Sequence, residues 1–221
     1  TEYLPLAVER LDNFTGEITI VTPEKCAIEI SGANTIPAGS SRAPIVFVCS
    51  RGMTTSPVPL LLTAKAEING KTISHPVIGA DEVMQAFAYH HLLPALALYC
   101  SGGFRQNNKN LPVLDWSNQG PIQIRPGTKF ELSGISKNLP IPSGCSFELI
   151  DPPSGLLLQN QQYSDRDFRL VFQTEAKMKP ESCNLLIRLR IPPTENPADK
   201  KKKTPASELL LPTLKLNVAI E

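Results

Sequence analysis

The chain has 221 residues, 19% of them charged, with a formal charge of +1, 21 prolines, 13 glycines and five cysteines. That balance leaves no global field to attract nucleic acid or an acidic membrane surface. No stretch approaches the roughly 18 consecutive apolar residues of a membrane-spanning helix, and the prolines interrupt each apolar run first.

In the first half, Leu4, Leu6 and Val8 stand in phase and predict a strand over Thr1 to Arg10. Ile18 with Ile20, Cys26 with Ile28 and Ile30, and the run Ile45 to Cys49 predict three more, with a turn at Ile36-Pro37-Ala38-Gly39-Ser40. Leu60 to Ile68 alternates apolar and polar residues, and Asn69-Gly70 then supplies the positive φ angles of a two-residue hairpin returning through Lys71 to Val77. Asp81 to Tyr89 is the one place where spacing suggests a short helix, through Val83, Met84, Phe87 and Ala88.

Leu92 to Cys100 then opens Leu-Leu-Pro and alternates, and Leu210 to Ala219 does the same, with Pro94 and Pro212 in matching places. Read as the closing strand of a repeated unit, this echo divides the chain into domains 1–101 and 102–221. Ser101 to Gly120, with the single tryptophan Trp116, reads as a connector. Beyond it, Ile122 and Ile124, Phe130 and Leu132, then Cys145, Phe147 and Leu149 form apolar rows, the last stopped by Asp151-Pro152-Pro153-Ser154-Gly155. Phe168, Leu170 and Phe172 form another, and the longest row is Cys183, Leu185, Ile187, Leu189 and Ile191, with Asn184, Arg188 and Arg190 on the opposite side. Residues 192–207, rich in proline and holding Lys200 to Lys203, read as a solvated loop. The expected fold is all-β, two tandem immunoglobulin-like β-sandwich domains.

Cys145 and Cys183 lie in the inward rows of strands expected in facing sheets, so they form either an inter-sheet disulfide or two buried thiols. Cys26 and Cys49 are a weaker pair, and Cys100 is left over. No CxxC spacing is present. His75, His90 and His91 have no metal-ligand spacing, and neighbours in a strand face opposite ways, so His90, His91 and Trp116 are assigned to packing between the domains. There is no GxSxG turn, and Ser40, Ser133 and Ser143 fall in β turns. The lysine run has no interleaved aromatic and reads as solvated chain rather than a nucleic-acid patch. Asn13-Phe14-Thr15 fits a glycosylation sequon, a triplet common by chance. A glycan platform would have to come from Trp116, Tyr89, Tyr99 and Tyr163.

Several strings carry a family likeness. Arg10-Leu-Asp-Asn-Phe-Thr-Gly-Glu-Ile-Thr-Ile20, Ile36-Pro-Ala-Gly39, Ala66-Glu-Ile-Asn-Gly-Lys71, Met84-Gln-Ala-Phe87 and His91-Leu-Leu-Pro-Ala95 resemble one domain of large exported proteins of planctomycete-type bacteria. In those proteins tandem immunoglobulin-like domains accompany pre-peptidase C-terminal domains. The second half is similar through Asp151-Pro-Pro-Ser-Gly155, Asn184-Leu-Leu-Ile187 and the lysine-rich stretch before Leu211-Pro212. The resemblance implies a non-enzymatic structural, adhesive or binding part of a longer exported polypeptide, periplasmic, at the cell surface or extracellular. It implies no cofactor, with other domains of the same polypeptide, a protein or a glycan as partners. The alternatives are a carbohydrate-binding accessory module and an undetected hydrolase beside His90 and His91. Family domains begin with a further strand before the region of Tyr3 to Arg10, so the first sandwich is expected to have an uncovered edge suited to homodimer formation.

Overall fold

The computed structural model describes residues 1–24, 26, 28–49, 57–85, 89–95, 97–100, 111–118, 120–196, 199–204 and 206–219, and every regular element among them is a β-strand. In the first half β1 (Glu2–Ala7), β2 (Ile18–Val21), β3 (Ile28–Ser31), β4 (Thr35–Ile36), β5 (Arg42–Cys49), β6 (Val58–Pro59), β7 (Thr63–Ile68) and β8 (Lys71–Pro76) follow in order. They make a three-stranded sheet β1-β5-β3 and a four-stranded sheet β4-β2-β7-β8. Leu6, Ile28, Ile45 and Phe47 from the first sheet meet Ile18, Ile20 and Ile36 from the second, with Leu60 and Leu62, in one apolar cluster. The Asn69-Gly70 turn has φ values of 51° and 73°, the left-handed pair that a two-residue hairpin needs, and it joins β7 to β8 in register from Ile68↔Lys71 to Thr63↔Pro76.

The ends of the turn motifs in this half are tied together by one side chain. Arg10 donates from Nε to the Ser40 carbonyl at 2.9 Å, from Nη1 to Gly16 at 2.6 Å and from Nη2 to Pro37 at 2.9 Å. Its guanidinium also lies 5.6 Å from the centre of the Phe14 ring. The strings 10–20 and 36–39 are thus two sides of one clamp, and the fork of donors suits three fixed carbonyls as a lysine ammonium does not.

Next come β9 (Ala80–Gln85) and β10 (Tyr89–Pro94), which among the described residues pair only with each other in a two-stranded ribbon, and β11 (Tyr99–Cys100), which pairs with β6. The second half holds β12 (Leu114–Trp116), β13 (Ile122–Ile124), β14 (Lys129–Ser136), β15 (Ser146–Ile150), β16 (Leu156–Ser164) and β17 (Asp167–Thr174). It continues with β18 (Ser182–Ile191), β19 (Thr194–Asn196), β20 (Asp199–Thr204), β21 (Ser207–Leu210) and β22 (Leu214–Val218). One sheet runs β12-β14-β17-β16; the other runs β13-β22-β18-β15, with β21 also on β18. Their apolar rows fill a second cluster with Phe168, Leu170, Phe172, Leu185, Ile187, Leu189 and Leu216 at its centre. Trp116 meets Phe168 edge-on at 5.4 Å, and Phe147 stacks on Phe168 at 5.1 Å.

Four expectations are corrected. Residues 80–85 are extended, not helical, because Val83 and Met84 find cross-strand partners in His91 and His90. The Leu-Leu-Pro echo does not mark equivalent strands: Pro94 ends β10, with Leu92 and Leu93 exposed, whereas Pro212 precedes β22, with Leu211 fully buried. The stretch 192–207 is not simply a loop, since β19 and β20 form a ribbon from Thr194↔Thr204 inward and Ser207 begins β21. Within the supposed connector, Leu114, Asp115 and Trp116 form β12, paired with Ser136, Ile135 and Gly134 of β14.

Replacing Arg10 by Lys should lower unfolding free energy by roughly 1.5 to 3 kcal/mol, the range for hydrogen bonds made by a charged donor. Urea titration of wild type and variant measures it, and an unchanged midpoint would refute the clamp.

Candidate functional site

The two apolar clusters meet where β3 leaves its sheet and the 211–214 segment enters its own. Gly32 and Thr213 form an isolated parallel bridge. The Ala33 amide donates to the Thr213 carbonyl at 2.9 Å and the Thr213 amide to the Ser31 carbonyl at 3.2 Å. The Thr213 hydroxyl lies within hydrogen-bond distance of the same side of the chain, 3.3 Å from the Ser31 carbonyl and 3.2 Å from that of Ala33. Only glycine suits position 32. Its φ is +88°, and a Cβ there would stand 2.2 Å from the Thr213 carbonyl oxygen and 2.3 Å from its nitrogen.

A second tie comes from the outer face of β18. Asn184 is buried and its Nδ2 donates to the carbonyls of Thr35 at 2.8 Å and Pro44 at 3.3 Å. Its Oδ1 is buried with no hydrogen-bond partner. Leu186 on that face and Val46 of β5 are both fully buried yet belong to neither cluster, and β18 and β5 approach each other here. Residues 184–187 are consequently buried on both faces, so β18 serves one core with its odd-numbered residues and the junction with its even-numbered ones.

An open cleft of about 620 Å³ runs along this junction, with Glu17 and Asn34 on one wall and Asp115, Trp116, Lys137 and Lys215 on the other. Lys137 is 2.5 Å from Asp115, and Lys215 is paired with Glu17 across the junction. Each of these four charges thus already faces an opposite one, so the cleft offers backbone groups and the Asn34 amide rather than a net field. Pairs at a solvent-open cleft of this kind contribute on the order of 1 kcal/mol or less each.

The residues singled out from the sequence are dispersed. Trp116 lies in the second core, and its indole N–H donates at 2.7 Å to the carbonyl of Pro212, the neighbour of Thr213. It braces the junction from behind and is not exposed as a glycan platform. His91 is exposed on β10, which also carries His90, and does not line the cleft; the His90 side chain lies outside the described residues. Cys26, Cys145 and Cys183 are free thiols. β15 and β18 are neighbours in one sheet, not members of facing sheets, and Ser146↔Arg190 sets Cys145 beside Ile191. Eight residues of strand, roughly 26 Å at the usual rise, then separate it from Cys183, well beyond a disulfide's span. Cys49 ends β5 opposite Ile28, and its side chain lies outside the described residues.

Burial pushes the Cys145 thiol up, and burial together with nearby Glu181 pushes that of Cys183 up to about 12. Among the described residues, no group of three or more His, Cys, Asp or Glu could hold a metal ion. Asn184 and Gly32, the residues that make the junction, are not candidates on sequence pattern, although a polar Asn in the outer row of the longest apolar strand is a signal in retrospect. No family model, curated protein or solved structure matches the chain.

Gly32→Val should break the bridge, costing more than about 2 kcal/mol through left-handed strain and overlap with Thr213. In urea, wild type should unfold in one transition and the variant in two, reported separately by Trp116 fluorescence and by far-UV signal. Coincident transitions in the variant would show that the bridge does not couple the cores. Cys183 gives a pH test. Its folded pKa lies above the ordinary 9.0, so its contribution is complete below about pH 9 and declines as pH rises from 9 toward 12, because the unfolded thiol ionises first. The alkaline loss should be smaller in Cys183→Ala, measured as urea midpoint against pH.

Proposed function

We propose that the chain is a non-catalytic structural or adhesive module of a larger exported bacterial protein, built as two immunoglobulin-like β-sandwich domains, 1–101 and 102–221. The observation that carries this reading is the junction. Main-chain hydrogen bonds between Ser31, Ala33 and Thr213, the buried Asn184 amide and the Glu17–Lys215 pair restrain one apolar core against the other. Two cores held at a fixed angle suit a protein that spaces or presents neighbouring domains of the same polypeptide. The absence of free charge in the junction cleft fits a structural seam better than a site for an ionic substrate.

A carbohydrate-binding role is less well supported, because Trp116, its best aromatic, is buried and hydrogen-bonded to Pro212. A glycan platform would then rest on Tyr89 and Tyr99, which are 67% and 62% exposed. A hydrolase beside His90 and His91 would sit on a two-stranded ribbon with His91 open to solvent.

Small-angle scattering of the wild type should fit one rigid two-lobed particle, unchanged by added glycans, with Gly32→Val giving a broader distribution of dimensions. A wild type that already scatters as a flexible pair would overturn the spacer role. Glycan-array binding lost on Tyr99→Ala would move the assignment to a carbohydrate-binding module.

A further inference from the structure

β15 and β16 are edge strands of the two different sheets of the second half, and an open groove of about 630 Å³ lies between them. Phe147, Glu148 and Leu149 form one side of it, and Leu158, Asn160 and Gln161 the other. The Phe147 amide donates across the groove to Gln161 Oε1 at 2.6 Å. An exposed side chain from the other sheet therefore occupies the place that a neighbouring strand's carbonyl would take. Because antiparallel ladders alternate, a Phe147 amide that points away from β18 means that Leu149 also presents its N–H and C=O outward, while Ser146, Glu148 and Ile150 bond inward.

We propose that β15 is a homodimerisation edge: a second copy of this chain adds its own β15 antiparallel to the first, displacing Gln161 and making one continuous sheet through both copies. The register is self-complementary about Glu148. Phe147 of one copy pairs with Leu149 of the other, and each such pair exchanges both of its outward hydrogen bonds. This register sets the two Glu148 carboxylates opposite each other at the dyad, a like-charge contact that costs some stability. It is offset within each copy, where Glu148 Oε2 lies 3.0 Å from Arg190 Nε and 3.6 Å from Arg188 Nη2, guanidiniums that also pair with Glu208.

Two other sheet edges are blunted. In β1, Pro5 stands opposite Pro44, a pair that can exchange no hydrogen bonds, so the missing donor of Pro5 falls on the free edge. In β16 the register slips between Leu158 and Asn160, a bulge that interrupts pairing. β15 has neither device, and Gln161 caps only one of its outward donors.

The test is sedimentation equilibrium of the full chain from about 1 μM to about 1 mM, with two variants. Wild type should rise toward twice the monomer mass. Gln161→Ala, which removes the competing acceptor, should dimerise at least about fivefold more tightly. Leu149→Pro removes the outward donor, a change an edge strand accepts, together with part of a side chain packed on the second core, and should stay monomeric with a urea transition retained at a somewhat lower midpoint. A wild type monomeric at every concentration would overturn the proposal. So would a folded Leu149→Pro variant that dimerises like wild type, or a Gln161→Ala variant that dimerises no more tightly. If Leu149→Pro does not fold, the Gln161→Ala comparison decides.

Discussion

The architecture depends on a short main-chain contact between Gly32 and Thr213. Two apolar cores can each bury their own rows without it, but their mutual orientation rests on the amides of Ala33 and Thr213 and the carbonyls they meet. Backbone groups approach that closely only where no side chain intervenes, which places a glycine with positive φ on one side. The other side is set by what flanks Thr213. Leu211 is anchored by its amide to Ile187, Pro212 offers its carbonyl to Trp116, and Leu214 enters β22. The most buried aromatic region of the second half and the junction are therefore one connected unit.

Asn184 shows how a β-strand can belong to two environments at once. Alternation along β18 gives the inner row to the core, and in an isolated sheet the outer row would face water. Here the outer face meets β5, and an amide is a suitable group at that place because its donor reaches two carbonyls that no apolar side chain could satisfy. Leu186 and Val46 supply the dry remainder of that contact. Further on, the same row changes character to Arg188, partly buried, and Arg190, exposed, which pair with Glu148 and Glu208.

What could be read from the residues was the class of fold and much of its local detail. Asn69-Gly70 demands left-handed angles, Asp151 to Gly155 stops a strand, and Phe168, Leu170 and Phe172 can alternate inward only as a strand; all three stand as expected. Facing direction is a local property. Neighbourhood is not, and there the reading failed: the rows of Cys145 and Cys183 do point inward, but nothing in a period of two says which strands pair or in what register. The same limit explains residues 80–85, where a short apolar run suits a helix until a partner strand is present. It also explains the Leu-Leu-Pro echo, since a residue without an amide donor fits the end of a strand as well as the approach to one. The junction was illegible for a related reason, because the outer row of a strand does not announce that a second body covers it.

The parallel pairing of β13 with β22 has a consequence for the order of events during synthesis. Ile122 cannot meet Leu216 until more than ninety intervening residues have been made, and Thr213 lies in the same late segment. On the ribosome the first core can assemble early from contacts within residues 1–100. The second core and the seam must both wait for residues 211–218 to emerge. During that interval the face of β5 that will receive Asn184 and Leu186 stays open beside an incomplete sheet. That interval is when a nascent chain has most apolar surface open to contact with other chains.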